Sequence, residues 1–248
     1  MNDSVLNIPL IQLAIAFVPV LLVLAILYRW SLGAGTAIYA LTRMLAQLLM
    51  IGYFLSYLFG TESATVVLLV LAVMVFASSW IALRTVSEDR GQLYKLSVLS
   101  IAIGGGLPLV TVSFAVLQLD PWYLPRYMIP LAGMIFANSM NSVSLAADRL
   151  RAELQHSNCW TDARNSAMHA AMIPNINSLF AVGLVSLPGM MTGQILSGIS
   201  PLIAVRYQIM VMCMIFASAG ISAALFLVLT KDHRWAATPE KQQNGERE

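Results

Sequence analysis

Leu179-Phe-Ala-Val-Gly-Leu-Val-Ser-Leu-Pro-Gly-Met-Met-Thr-Gly-Gln-Ile-Leu-Ser-Gly198 is long enough to cross a bilayer, yet it reads unlike an ordinary membrane anchor. A lipid-facing helix is filled with Leu, Ile and Val. This stretch instead carries Gly183, Pro188, Gly189, Gly193 and Gly198, with Ser186, Thr192 and Gln194 among them. Backbone loosened in this way is tolerated at membrane depth only where protein or a water-filled cavity covers it. The stretch therefore predicts a polytopic protein with a path through it.

The rest of the chain agrees. Of its 248 residues, 58% are hydrophobic and only 10% charged, against about 25% charged in soluble domains. So few charges cannot clothe a soluble surface. The 14 basic and 12 acidic residues nearly cancel, which argues against a nucleic-acid partner. Met1-Asn-Asp-Ser4 lacks the basic region of a secretory signal, so the first apolar run is expected to remain as a span. Cys159 falls in a predicted loop and Cys213 inside a predicted span, so no disulfide framework is expected.

A span needs about 20 apolar residues at 1.5 Å rise. Seven runs qualify: Ile8–Tyr28, Ala37–Phe59, Thr65–Leu83, Leu96–Leu117, Tyr127–Leu145, Asn177–Leu196 and Tyr207–Thr230. The longest connection, 146–176, reads as polar and weakly amphipathic. Basic residues set the expected orientation. Arg29, then Arg84, Arg90 and Lys95, then Arg149, Arg151 and Arg164, and finally Lys231, Arg234, Lys241 and Arg247 fall on one side. Only Arg126 and Arg206 fall on the other, and Arg43 lies within the second span. The positive-inside rule then puts the N-terminus outside and the tail, 232–248, in the cytoplasm. The expected fold is an all-α, polytopic membrane helical bundle forming one domain over 1–231.

Several chemistries are excluded. A retinal Schiff base needs a lysine deep in the last helix, and Lys95, Lys231 and Lys241 all sit in loops or at a helix end. An intramembrane protease needs a nucleophile with its base, or paired aspartates. His156, His169 and His233 fall in predicted loops, and no aspartate is placed mid-span. His156-x-x-Cys159 offers two potential metal ligands without the remaining ones. No lysine follows a glycine, so the phosphate-cradling Gly-x-x-x-x-Gly-Lys loop is absent. Gly104-Gly105-Gly106 with Pro108 reads as a kink inside a span. The chain is thus expected to be no enzyme and to hold no cofactor; ATP hydrolysis would have to come from another chain.

Three spans carry polar groups at helical spacing. In the second, Arg43 and Gln47 are four apart, with Tyr39 and Met50 on the same face. Arg43 either snorkels to the interface or lines a path. In the fifth, Met134, Asn138, Asn141 and Ser142 share a face. Buried amides there act as interhelical glue or as a pore stripe. In the sixth, Gly189, Gly193 and Ser197 repeat every four residues, a smooth face for close helix approach. Pro188 removes an intrahelical hydrogen bond, which predicts a bend beside Gly183, and sets Met190, Met191 and Gln194 against loosened backbone. Thioethers are soft, adaptable ligands, although methionine is as often plain packing.

Val182-Gly-Leu-Val-Ser-Leu-Pro-Gly-Met-Met-Thr-Gly-Gln-Ile-Leu-Ser-Gly198, Pro201 and Arg206-Tyr-Gln-Ile-Met210 carry a resemblance, as do Ile129-Pro-Leu-Ala-Gly-Met134, Asn138-x-Met140, Gln47-Leu-Leu-Met-Ile-Gly-Tyr53 and Ala171-Met-Ile-Pro174. In these the chain resembles the bacterial iron-export ABC permease family of the FetB type, whose plant relatives include aluminium-tolerance permeases. The resemblance implies a permease in the cell inner membrane, surrounded by lipid and working with a separate ATP-binding subunit to move a metal ion out of the cytosol. A homodimer of permease chains is expected, with 146–176 as the cytoplasmic coupling element and Trp160, Asp162 and Arg164 as its contacts. One departure stands out. The family carries a longer fifth connection with a Leu-Gly-Ala-Thr-Pro stretch, where this chain reads Glu153-Leu-Gln-His-Ser-Asn-Cys-Trp-Thr-Asp-Ala-Arg164. That implies an altered ATPase contact or an unusual partner. Rival readings are an ATP-independent transporter and a membrane scaffold with no path.

Overall fold

The computed structural model describes residues 8–60, 63–86, 90–156 and 159–233. The tail from 234 onward lies outside them, as does the connection holding Glu88. Among the described residues all regular structure is helical. The order is α1 (Leu10–Ile15), α2 (Val18–Arg29), α3 (Ala34–Phe59), α4 (Ala64–Ala82), α5 (Arg90–Val110), α6 (Pro125–His156), α7 (Trp160–Ala181), α8 (Gly189–Leu196) and α9 (Pro201–Leu229). A 3-10 turn, Leu83–Val86, follows α4, and a π-helical turn, Thr111–Val116, extends α5. Five stretches among these residues are long and apolar enough to cross a bilayer: Leu10–Arg29, Ala34–Phe59, Ala64–Val86, Arg90–Val116 and Pro201–Leu229.

Two of the seven expected spans take another form. The fifth, Tyr127–Leu145, lies in the first two-thirds of α6, which continues as helix through the polar Asp148-Arg-Leu-Arg-Ala-Glu153 to His156. The expected long connection, 146–176, is therefore mostly helix, because polar residues with good helix propensity extend α6 and α7 beyond the apolar core. The sixth span, Asn177–Leu196, is two helices separated by a turn rather than one bent helix. His169 likewise sits on helix α7 and not in a loop.

One compact unit of the described chain holds α1 to α3 together with Leu196–Gly198, and a second holds the rest. In the first, α2 packs on α3. In the second, α6 and α9 form the central pair; α5 packs on α6 and α9, α7 on the same two helices, and α4 on α5 and α6. Its core joins Val67, Leu93, Ile101, Ile135, Val143, Val211 and Phe226, all buried. A second cluster of small residues, Ala146, Ala163, Ala167, Ala171 and Ala223 with Leu150 and Leu227, seams α6, α7 and α9. Lipid tails are as apolar as leucine, so helices in a bilayer associate through close packing and interhelical hydrogen bonds, and small residues permit both.

The triple glycine serves that packing. α5 runs helically through Gly104-Gly105-Gly106. A Cβ on Gly104 would lie 2.5 Å from the backbone nitrogen of Ser222 on α9. One on Gly105 would lie 2.8 Å from Ile135 Cγ2. The irregularity comes a turn after Pro108, as the π-helical turn.

Candidate functional site

The break between α7 and α8 builds the site. Val182 caps α7 in an extended conformation, and Gly183 follows with φ +84°, a left-handed conformation that glycine adopts without penalty. The chain then folds back: Ser186 N–H donates to the Ala181 carbonyl (3.1 Å) and Gly183 N–H to the Ser186 carbonyl (3.0 Å). Leu184 and Val185 project outward, 91% and 85% exposed. Pro188 stands just ahead of α8, where its missing N–H costs nothing, and its carbonyl accepts both the N–H and the hydroxyl of Thr192 (3.0 and 3.1 Å). The break thus depends on Gly183 and the turn; Pro188 removes no hydrogen bond from a helix interior.

Behind the turn lies a cavity of about 360 Å³. Leu179, Val182, Gly183, Leu187, Pro188 and Met191 line one wall, and Val205, Gln208, Ile209, Met212 and Cys213 of α9 line the other. Gln208 is 6% exposed, and its Oε1 has no hydrogen-bond partner. A buried acceptor left unmet costs about 1–3 kcal/mol, so it calls for a donor or a cation. The Oε1 of half-buried Gln194, one turn beyond Met191 on α8, is also buried and unpartnered. A second, larger cavity of about 500 Å³ lies between α5 and α9, and Cys213, Met210, Met214 and Arg206 contribute to its lining.

The expected path residues distribute unevenly. Met191 lines the first cavity, whereas Met190 packs against the main core. Met134 also packs on that core. Asn138 donates its amide to the Met134 carbonyl of its own helix (2.8 Å), and Asn141 is exposed. Arg43 and Gln47 are exposed on α3, in the other unit. A Cβ at Gly189 or Gly193 would meet nothing within 4 Å, so among the described residues the close helix approach expected along that face is not made. Trp160 packs on the alanine cluster between α6 and α7, Asp162 is exposed in the first turn of α7, and Arg164 donates to Asn165 Oδ1 (2.9 Å). No group of three or more His, Cys, Asp or Glu able to hold a metal occurs among the described residues.

Gln208 and Met212 were not singled out by sequence reasoning. The available signal was one amide in an otherwise apolar span, followed by Met210, Met212, Cys213 and Met214. Asn175 was missed too. It is buried and donates to Ser142 Oγ (3.2 Å), which in turn donates to the Ala171 carbonyl (3.4 Å), tying α6 to α7.

Comparison with known proteins places the chain. The model of the uncharacterised protein family UPF0014 matches residues 10–234. The chain belongs to the UPF0014 family. Among its relatives, a UPF0014 membrane protein of Synechocystis is 35% identical over 203 residues, covering 76% of this chain and 78% of that protein. The probable iron export permease protein FetB of Escherichia coli is 32% identical over 235 residues, covering 88% and 89%. The protein ALUMINUM SENSITIVE 3 of Arabidopsis thaliana is 30% identical over 231 residues, covering 86% and 83%. No solved structure matches. With UPF0014 relatives named as membrane proteins and five helices able to span, this member is a membrane protein.

Proposed function

We propose that this UPF0014 chain is the permease subunit of an ABC-type exporter that moves iron or a related metal ion out of the cytosol. A separate ATP-binding subunit supplies the energy, and two permease chains pair in the cell inner membrane. The chain crosses seven times, N-terminus out, with the α7–α8 hinge region as the sixth crossing. One observation carries the reading: a helix broken between α7 and α8 lies beside a cavity whose lining includes Gln208, a buried residue with an unpartnered amide oxygen. Irregular backbone and an unmet acceptor suit a site that something polar enters. The name of the FetB relative supplies the cargo class and the direction. Alternating access would turn on the α7–α8 break, with the ATP-binding subunit acting on the long polar ends of α6 and α7.

The test is the metal content of cells lacking the protein and of cells overproducing it. Deletion should raise cytosolic iron under metal load and overproduction should lower it; unchanged content in both overturns the export reading. The scaffold alternative predicts that Gln194→Leu is harmless, whereas a path predicts lost export with normal expression. Reporters fused at Gly60 and Glu88 should lie on opposite sides of the membrane.

A further inference from the structure

Where Gly104 meets Ser222, α5 and α9 close onto each other. Beyond that contact, towards the start of α9, the two helices enclose the cavity of about 500 Å³. Its α9 wall runs from Ile221 to Arg206 and its α5 wall from Leu107 to Val116, at the end of the π-helical turn. At 1.5 Å per residue these walls extend about 14–22 Å. Spread over that length, about 500 Å³ gives a cross-section of roughly 20–35 Å². That admits one hydrocarbon chain, whereas a helix about 10–12 Å across takes about 80–110 Å². Leu107, Val116 and Ile209 are exposed along this groove, so it opens to whatever surrounds the bundle.

The two ends of the groove differ. Near Val116, Trp122 stacks on Phe114 of the π-helical turn at 6.3 Å, and Tyr123 meets Trp122 edge-on at 5.6 Å. Tryptophan and tyrosine concentrate at the membrane–water boundary. Arg206 lines the same end and is exposed; among the described residues it makes no hydrogen bond or ion pair. No acidic side chain lines the groove, and its far end, at Leu107 and Ile221, is aliphatic. One leaflet is about 15 Å of hydrocarbon, or about 20–22 Å with its headgroups. The groove therefore runs the depth of one leaflet, cationic at the boundary and apolar towards the midplane.

We propose that the α5–α9 groove binds an anionic phospholipid, with one acyl chain in the groove and the phosphate on Arg206. An arginine stem suits an apolar wall, and its planar guanidinium pairs with phosphate oxygens through two N–H donors. Water is a poor occupant, because apolar walls give it no hydrogen bonds. Ile209 and Cys213 also line the cavity behind the α7–α8 turn, so α9 is a shared wall that an acyl chain in the groove braces. An influence of lipid on transport through that wall rests on the export reading above; lipid binding itself does not.

The experiment uses the full chain, stripped of lipid in detergent and mixed with phosphatidylglycerol or phosphatidylcholine of the same acyl chains. Native mass spectrometry counts the phospholipid retained. The expected result is one phosphatidylglycerol per chain, held about fivefold more tightly than phosphatidylcholine, the contribution of one arginine at an anionic lipid surface. Arg206→Gln should bring the two lipids within about twofold of each other. Ala217→Phe places a ring in the groove and should abolish retention of either lipid. Should that variant fail to assemble, Thr111→Phe on the α5 wall carries the same test. Equal retention of the two lipids by the wild type, a preference that survives Arg206→Gln, or retention indifferent to the ring overturns the site. So does a lipid-free wild-type dimer that the ring variants split, since the groove is then an interface between two copies. Unchanged metal content in cells lacking the protein overturns the export reading and leaves this site standing. Equal retention of the two lipids does the reverse.

Discussion

Gly104 of α5 and Ser222 of α9 meet so closely that a Cβ on the glycine would lie 2.3 Å from the serine hydroxyl oxygen. The hydroxyl of Ser222 donates to Ser139 Oγ (3.0 Å) on α6, and Ser139 donates to the Ser218 carbonyl (3.3 Å) on α9. Three helices are therefore keyed at one level by a missing side chain and a buried serine chain. Because Ser222 backbone atoms lie within 2.7 Å of the built Cβ, no rotamer change relieves the clash.

Gly104→Ala should thus destabilise the α5–α9 contact by about 1–3 kcal/mol, the usual cost of overpacking. Gly106, two residues on, faces open space. Gly106→Ala should raise helix propensity by up to about 1 kcal/mol. Thermal unfolding in detergent checks the pair, and opposite signs are expected.

Gly183→Ala should cost about 1–2 kcal/mol, because its φ of +84° sets Cβ against the following carbonyl. Pro188→Ala should change stability by less, since Pro188 precedes α8 and interrupts no helix interior. Should Pro188→Ala prove the more damaging of the two, the break would depend on the proline after all.

Trp160→Ala should lower stability by about 1–3 kcal/mol through lost packing of this half-buried ring between α6 and α7, even without any partner. Asp162→Ala, at an exposed position, should leave the thermal midpoint nearly unchanged. Under the proposed function it should reduce co-purification of the ATP-binding subunit. Comparing the two variants separates a packing residue from a docking residue.

Arg90 sits 3.6 Å over the Trp80 ring, and its Nε donates to the Trp80 carbonyl (3.1 Å). Tyr94 meets the same ring edge-on at 5.6 Å. Arg90→Lys keeps the charge but loses the planar stack and the second donor to that carbonyl. A loss of about 1 kcal/mol is expected, with a shift in tryptophan emission as the spectroscopic check.

The amino-acid sequence determined the class on its own. Long apolar runs and sparse charge are local properties, so the helices of Leu10–Arg29, Ala64–Val86 and Pro201–Leu229 were visible without knowing what packs on what. The anomaly after Leu179 was visible for the same reason: glycine and proline act on their own backbone. Tertiary structure decided what those residues do. Gly104 reads as a kink until Ser222, 118 positions away, occupies the space where its Cβ would be. Gln208 reads as one polar residue in a span until the structure buries it beside the α7–α8 turn and leaves its oxygen unmet. Asn138 reads as a pore residue until its amide is found on its own helix, while Asn175 crosses to Ser142. Such pairings depend on the rotation and register of whole helices against one another, which are set by the sum of many distant contacts and leave no mark on any single stretch of chain.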